Sequence, residues 1–172
     1  LIPVMIVVLT VVAMEGFAYS VHRWIMHGPL GWGWHKSHHE ETHGPFEKND
    51  LYAVVFAVIS ILLFAIGSAW WPWLWWVAVG ASVYGVIYFV VHDGLVHQRW
   101  PFRYVPKRGY FRRLYQAHRL HHAVEGRDDC VSFGFVYAPP VDDLKAQLKS
   151  SGVLAKRQSK HRDAWRADRP ED

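Results

Sequence analysis

Hydrophobic positions along this chain gather into three long runs rather than into stripes. Leu1–Val21 carries one charged residue, Glu15, and Leu51–Trp70 and Trp73–Val91 carry none. Each run is close to the roughly 20 residues that take an α-helix across a bilayer. The pattern therefore predicts an all-α protein with membrane spans over about 1–21, 51–70 and 73–91. The chain opens inside an apolar run, with no basic segment before it and no small-residue cleavage site after it, which reads as a retained span rather than a removable signal. Beyond Val91 the character changes. Residues 98–113 are basic and aromatic, and Phe111–His122 reads as a helix. Val131–Pro140 is apolar but too short to cross, so it is expected to be interfacial or re-entrant. From Lys145 onward charged and polar residues dominate, the pattern of a solvated helix or frayed tail. The expected architecture is one domain over 1–172, an integral membrane helical bundle with a cap over about 92–144 and a charged tail over 145–172.

Basic residues orient the bundle. The Trp70-Trp71-Pro72-Trp73 turn has no Lys or Arg, whereas Arg23, Lys36, Lys48 and the cationic stretch after Arg99 lie at the other ends of the spans. By the positive-inside rule that other side is cytoplasmic, which in a bacterium means an inner-membrane protein with its cap inside. Trp70, Trp71, Trp73, Trp75 and Trp76 fit an interfacial aromatic belt at the outer turn. Arg99, Arg103, Lys107, Arg108, Arg112 and Arg113 are expected near anionic headgroups. The net charge of +4 and a pI near 9.3 make the cap basic, which suits anionic membrane lipid, and no nucleic-acid partner is expected. The single Cys130 excludes an internal disulfide.

Ten of the twelve histidines fall into four boxes: His22-x4-His27, His35-x2-His38-His39, His92-x4-His97 and His118-x2-His121-His122. On this topology all four converge at the cytoplasmic ends of the spans or just beyond. Neutral imidazole suits iron, zinc, copper and nickel, and no cysteine cluster or paired carboxylate motif competes for the role. At about 100° per residue, each triplet places its first ring beneath both later ones. Its adjacent pair diverges by about 100°, so one triplet can serve two ions side by side. The His-x4-His pairs fit a regular helix poorly, because i and i+5 lie about 140° apart. Either Gly28-Pro29 ends the first helix there, or a widened π-type turn brings the two rings together. His43 and His161 match no box and are read as solvated.

Taken with their neighbours, the boxes resemble the bacterial β-carotene hydroxylases of the fatty acid hydroxylase superfamily. The resemblance runs from about Glu15 to Pro140. It is carried by His-Arg-Trp-Ile-Met-His at 22–27, His-Lys-Ser-His-His-Glu at 35–40, His-Asp-Gly-Leu-Val-His at 92–97 and Tyr-Gln-Ala-His-Arg-Leu-His-His at 115–122. The Val-Glu-Gly-Arg-Asp-Asp-Cys-Val-Ser-Phe-Gly-Phe run at 124–135 is similar too. The resemblance implies a di-metal site of two non-haem iron ions, for which zinc or another divalent ion can substitute in a purified sample. It also implies monooxygenation of β-ionone rings with O2, from β-carotene through β-cryptoxanthin to zeaxanthin. Carried over residue by residue, the metal ligands are His22, His27, His35, His38, His39, His92, His97, His118, His121 and His122. The third box departs from the wider family in having four residues rather than three between its histidines, which favours a carotenoid over an acyl chain. The chain has no flavin, haem or iron–sulfur motif, so electrons must come from another protein, of ferredoxin type.

Around the boxes, Glu15 lies within about 20° of His22 on the same helix face, two turns deeper. It is either a partner of the site or substrate channel, or a protonated packing residue. Asp93, Glu40, Glu125, Asp128 and Asp129 are candidate hydrogen-bond partners of ligand imidazoles, Asp93 and Asp128 foremost. Gly80, Tyr84, Gly85 and Tyr88 either shape a substrate groove or serve close helix packing. Three other functions fit less well. The same chemistry could act on another lipid, as hydroxylation, desaturation or ring ketolation; a metal transporter or sensor would want polar residues along the spans; a bis-histidine haem protein gives no reason for His-His doublets.

Overall fold

The computed structural model describes residues 1–40, 44, 46–101, 103–153, 155–156 and 158–159; His43, His161 and Trp165 lie outside these. The described residues are helical with no strand, in six α-helices: α1 (Ile2–Ser20), α2 (Trp32–His39), α3 (Asp50–Ala69), α4 (Pro72–Tyr88), α5 (Gly109–His121) and α6 (Val141–Ser150). Two of them continue without a break into π-helical segments, α1 into Val21–Met26 and α4 into Phe89–Val96. With these extensions, three helices are long and apolar enough to cross a membrane: Ile2–Met26, Asp50–Ala69 and Pro72–Val96, of 25, 20 and 25 residues. The first and third outrun the expected limits of about 21 and 91, because widened hydrogen bonds carry the helix past Arg23 and Asp93.

Helix α4 is the centre of the bundle, with α1 and α3 packed on it. The α3–α4 hairpin turns at Trp70-Trp71, and Pro72 opens α4, where a missing backbone N–H costs nothing. Close approach of α1 to α4 depends on Gly80, since a Cβ there would meet Thr10 and the Val7 carbonyl; Gly80 thus serves packing. The outer faces of the spans are studded with exposed Val, Leu, Ile and Phe, and Trp70, Trp71 and Trp73 are exposed at the turn. Both are expected of surfaces solvated by lipid and its interface.

The cap has its own core, in which Val91 of the third span meets Leu114 and Ala117 of α5, Val124, Val131, Ala138, and Leu144 and Leu148 of α6. Within the stretch read as a solvated helix or frayed tail, Leu148 is the exception. Leu144 and Leu148 are fully buried, one helical turn apart beneath a polar outer face, so α6 is an amphipathic part of the cap. Arg99 turns to Asp50 at the start of α3, through two bonds of 2.8 and 2.9 Å. Residues 131–140 form no regular element. They run back against α1 and α4, where Glu15 Oε1 accepts the backbone N–H groups of Phe135, Val136 and Tyr137 at 2.9, 3.1 and 2.9 Å.

Candidate metal centre

The π-helical segments set the first and third boxes. His27 donates its backbone N–H to the His22 carbonyl at 3.0 Å, and His97 to the His92 carbonyl at 2.9 Å, so an i→i+5 bond spans each pair. The rings of each pair consequently meet, with centroids 5.1 Å apart for His22 and His27 and 4.5 Å for His92 and His97. Both expectations for the first box hold, since the turn is widened and the helix stops before Gly28. The triplets ride on α2 and α5.

The four boxes form two adjacent clusters. In the first, ligand atoms of His22, His27, His35 and His121 all lie within 4.8 Å of one another, and in the second those of His38, His97, His118 and His122 do so. His92 joins the second through an Nε2–Nε2 separation of 3.1 Å to His38. His39 lies between the two, its ring 5.0 Å from His121 and 4.5 Å from His122. Each triplet contributes to both clusters. On α5 the adjacent His121 and His122 diverge as expected, whereas on α2 it is His35 and His38 that separate.

Seven rings are held from behind at Nδ1. Backbone carbonyls hold four: Phe133 for His22 at 2.9 Å, Arg127 for His27 at 2.9 Å, Val124 for His39 at 3.1 Å and Val131 for His121 at 2.8 Å. Side chains hold three: Asn49 for His35 at 2.8 Å, Glu47 for His38 at 2.9 Å and Asp93 for His92 at 2.8 Å. These oxygens accept only, so each Nδ1 carries the proton and each Nε2 presents a lone pair to the interior. The lone pairs then face one another at 3.1 Å for His22–His35 and His27–His35, 3.2 Å for His27–His121 and 3.1 Å for His38–His92. Such contacts repel unless a cation lies among them. Two nitrogens each about 2.1 Å from one ion sit roughly 3 Å apart when they are neighbours in its shell. His39 Nε2 is buried without a hydrogen-bond partner. The donor set therefore fits metal ions.

Burial keeps the imidazoles outside the spans neutral, the form that ligates. It lowers the pKa of His35 to about 3 and of His39 and His97 to about 4. His27, His38, His118, His121 and His122 are lowered too, by burial before any neighbouring charge. At the edge of the first cluster, the Cys130 thiol lies near ligand atoms of His39 and His121. Its pKa is pushed up to about 12, by burial and then by Asp128 and Asp129, so in the absence of an ion it is a neutral thiol.

Among the flanking acids, Asp93 meets a candidate ligand. Asp128 does not: its carboxylate is 80% exposed and pairs with the Arg127 side chain, while it is the Arg127 carbonyl that holds His27. Glu40 pairs with Lys36 at 3.1 Å. Glu15 touches no imidazole. It accepts the Tyr84 hydroxyl at 2.6 Å and anchors the segment whose Phe133 carbonyl holds His22. Sequence reasoning missed Glu47 and Asn49; the one available signal was the polar run Glu47-Lys48-Asn49-Asp50 immediately before the second apolar run. It also missed the four carbonyls of 124–133.

Among the described residues, an apolar and a polar hollow lie beside the clusters. An apolar cavity of about 700 Å³ lies among α1, α3 and α4 and ends at Met26, Tyr88, Asp93 and Phe135. At that end Phe135 stacks on His22 at 5.1 Å and Tyr88 on His92 at 4.6 Å. Gly85 and Tyr84 line this cavity as well. A second, polar cleft of about 290 Å³ reaches His38, His39, His97, His118 and His122 past Tyr115 and Arg119.

Paired imidazole clusters at one end of a three-span bundle, beside an apolar cavity, define a membrane protein with a metal cofactor. Residues 7–144 match the profile of the fatty acid hydroxylase family, and the chain belongs to that family. It is 76% identical over 150 residues to the β-carotene hydroxylase of Paracoccus sp. (strain PC1), covering 87% of this chain and 93% of that one. It is 61% identical over 146 residues to the β-carotene hydroxylase of Pantoea ananas, covering 84% and 82%. Against the chloroplastic β-carotene hydroxylase 1 of Capsicum annuum it is 38% identical over 147 residues, covering 83% of this chain and 44% of that one. No solved structure matches the chain.

Proposed function

We propose that this protein hydroxylates the β-ionone rings of carotenoids, taking β-carotene through β-cryptoxanthin to zeaxanthin with O2 and two external electrons per hydroxyl group. The carrying observation is the pair of inward-facing imidazole clusters that abuts an apolar cavity within the spans. High identity to proteins named β-carotene hydroxylase supports the substrate class. Two non-haem irons would be held by His22, His27, His35 and His121 on one side and by His38, His92, His97, His118 and His122 on the other, with His39 between. When bound, they supply the activation of O2 and the oxidation of the ring C–H bond.

The chain's own residues do the rest. The apolar cavity admits a polyene from lipid, and Phe135 and Tyr88 wall its inner end against the imidazoles and keep water out. Asp93, Glu47, Asn49 and the carbonyls of 124–133 fix the tautomer and aim of the rings. The clusters lie on the cytoplasmic side of a bacterial inner membrane, within reach of a ferredoxin-type donor.

The test is expression in bacteria that accumulate β-carotene, with pigment analysis of the wild type beside His118→Ala. Zeaxanthin and β-cryptoxanthin are expected only with the wild type. Unchanged β-carotene in both, with good expression and reductant present, would defeat the carotenoid assignment.

A further inference from the structure

The apolar cavity opens among the spans, so it offers no route to a water-soluble redox protein. The polar cleft does. It reaches five largely buried imidazoles of and beside the second cluster past Arg119, and α5 forms its wall. On α5 the buried residues are Leu114, Ala117, His118 and His121. At about 100° per residue their mean direction lies nearly opposite Arg112 and Arg119, which sit seven residues apart and within about 20° of each other. Both arginines are exposed. Arg119 donates to the Tyr115 hydroxyl at 3.0 Å with its guanidinium over that ring, and Arg112 donates to the Lys107 carbonyl at 2.7 Å. Neither bond neutralises its charge. The acid on the same cleft, Glu40, is paired with Lys36. The face of α5 beside the cleft is therefore cationic.

We propose that this face, centred on Arg119 and Arg112, is the docking surface for a one-electron carrier protein with an acidic contact surface. The proposal rests on the oxygenase reading above. The balance requires an external reductant: ring C–H, O2, two electrons and two protons give ring C–OH and water, and the sequence carries no flavin, haem or iron–sulfur motif. An anionic carrier is drawn to the arginines and seated over the cleft that imidazoles of the second cluster line. Charge attraction of this kind sets encounter rate and seating, and weakens with salt.

The experiment uses the metal-loaded enzyme in nanodiscs, with β-carotene, O2 and either of two electron sources: a plant-type ferredoxin with its NADPH-driven reductase, or dithionite-reduced methyl viologen, a small dye that needs no docking. For the double variant Arg112→Glu, Arg119→Glu the KM for ferredoxin is expected to rise at least 10-fold, and its salt dependence to flatten, while viologen-driven hydroxylation stays within 2-fold of wild type. The Arg112→Lys, Arg119→Lys variant should recover most of the ferredoxin KM. An unchanged KM in the glutamate variant overturns the proposal. So does equal loss with both electron sources, which would place the arginines in the site itself. A loss that appears with either source and follows the anionic lipid content of the nanodisc would make them headgroup anchors, and equally overturns it. Absence of hydroxylation by the wild type with viologen is a different result, the failure of the oxygenase reading.

Discussion

Each imidazole is aimed by what touches its outer nitrogen. His35 is nearly fully buried, and its Nδ1–H has one acceptor, Asn49 Oδ1 at 2.8 Å. Removing that oxygen leaves a buried donor unpaired and the ring free to turn, and loss of such a partner costs about 10–100-fold in metal affinity. Asn49→Ala is therefore expected to lower metal retention by that order, read by elemental analysis after competition with a chelator. Glu40→Ala, at an exposed pair with Lys36, should retain metal like the wild type. At this scale the candidate ligands were legible, because clustered histidines at recurring spacings are chemically unusual. Their supports were legible only for Asp93, which is adjacent to His92 in the chain. A backbone carbonyl belongs to every residue, so nothing in the side chains marks Val124, Arg127, Val131 or Phe133 as the four that hold rings. Asp128 looked apt as an acid beside the cap, but its neighbour's main chain does the work.

Among the elements, the π-helical segments convert an awkward spacing into a binding arrangement. A regular helix would point His92 and His97 apart by about 140°; the widened turn Phe89–Val96 brings their rings to 4.5 Å. Gly94 sits within that turn, where a Cβ would lie 2.6 Å from indole carbons of Trp100. Gly94→Ala must displace the indole or the turn, and overpacking of this kind costs about 1–3 kcal/mol. Its expected result is a lower melting temperature in detergent together with metal loss. Gly33→Ala, with open space around the Cβ position within α2, should be neutral or slightly stabilising in the same measurement. The mismatch of i and i+5 was visible in the sequence, and so was the choice between widening and stopping. The first box does both in turn. What could not be read was α6, since two leucines among charged residues announce a buried helix only once a cap core exists for them to enter.

Over the whole molecule, one intramembrane carboxylate ties bundle to cap. Glu15 of α1 accepts Tyr84 of α4 and three backbone N–H groups of 135–137, so the segment that lays its carbonyls on the rings is fastened to the spans. The spans were legible from hydropathy alone; this fastening was not, because Glu15 and Phe135 are 120 positions apart. A cap closed in this way buries neutral imidazoles, and burial makes its stability depend on pH with a definite sign. His35 has a folded pKa of about 3, and His39 and His97 of about 4, against about 6.5 in an unfolded chain. Above pH ~6.5 both states are neutral at these rings, and they add no pH dependence. As pH falls below that value the unfolded chain takes up protons that the folded cap refuses, so stability falls. The slope is up to about 1.4 kcal/mol per pH unit for each ring, until the folded values are passed. Bound metal steepens the loss, because each proton competes for a lone pair that the ion needs. The metal-free protein in detergent is therefore expected to melt at a clearly lower temperature at pH 5 than at pH 7.5, followed by tryptophan fluorescence, and the loaded protein to release its metal over the same interval. A flat melting profile between those two pH values would mean that the rings titrate normally and that water reaches the cap interior.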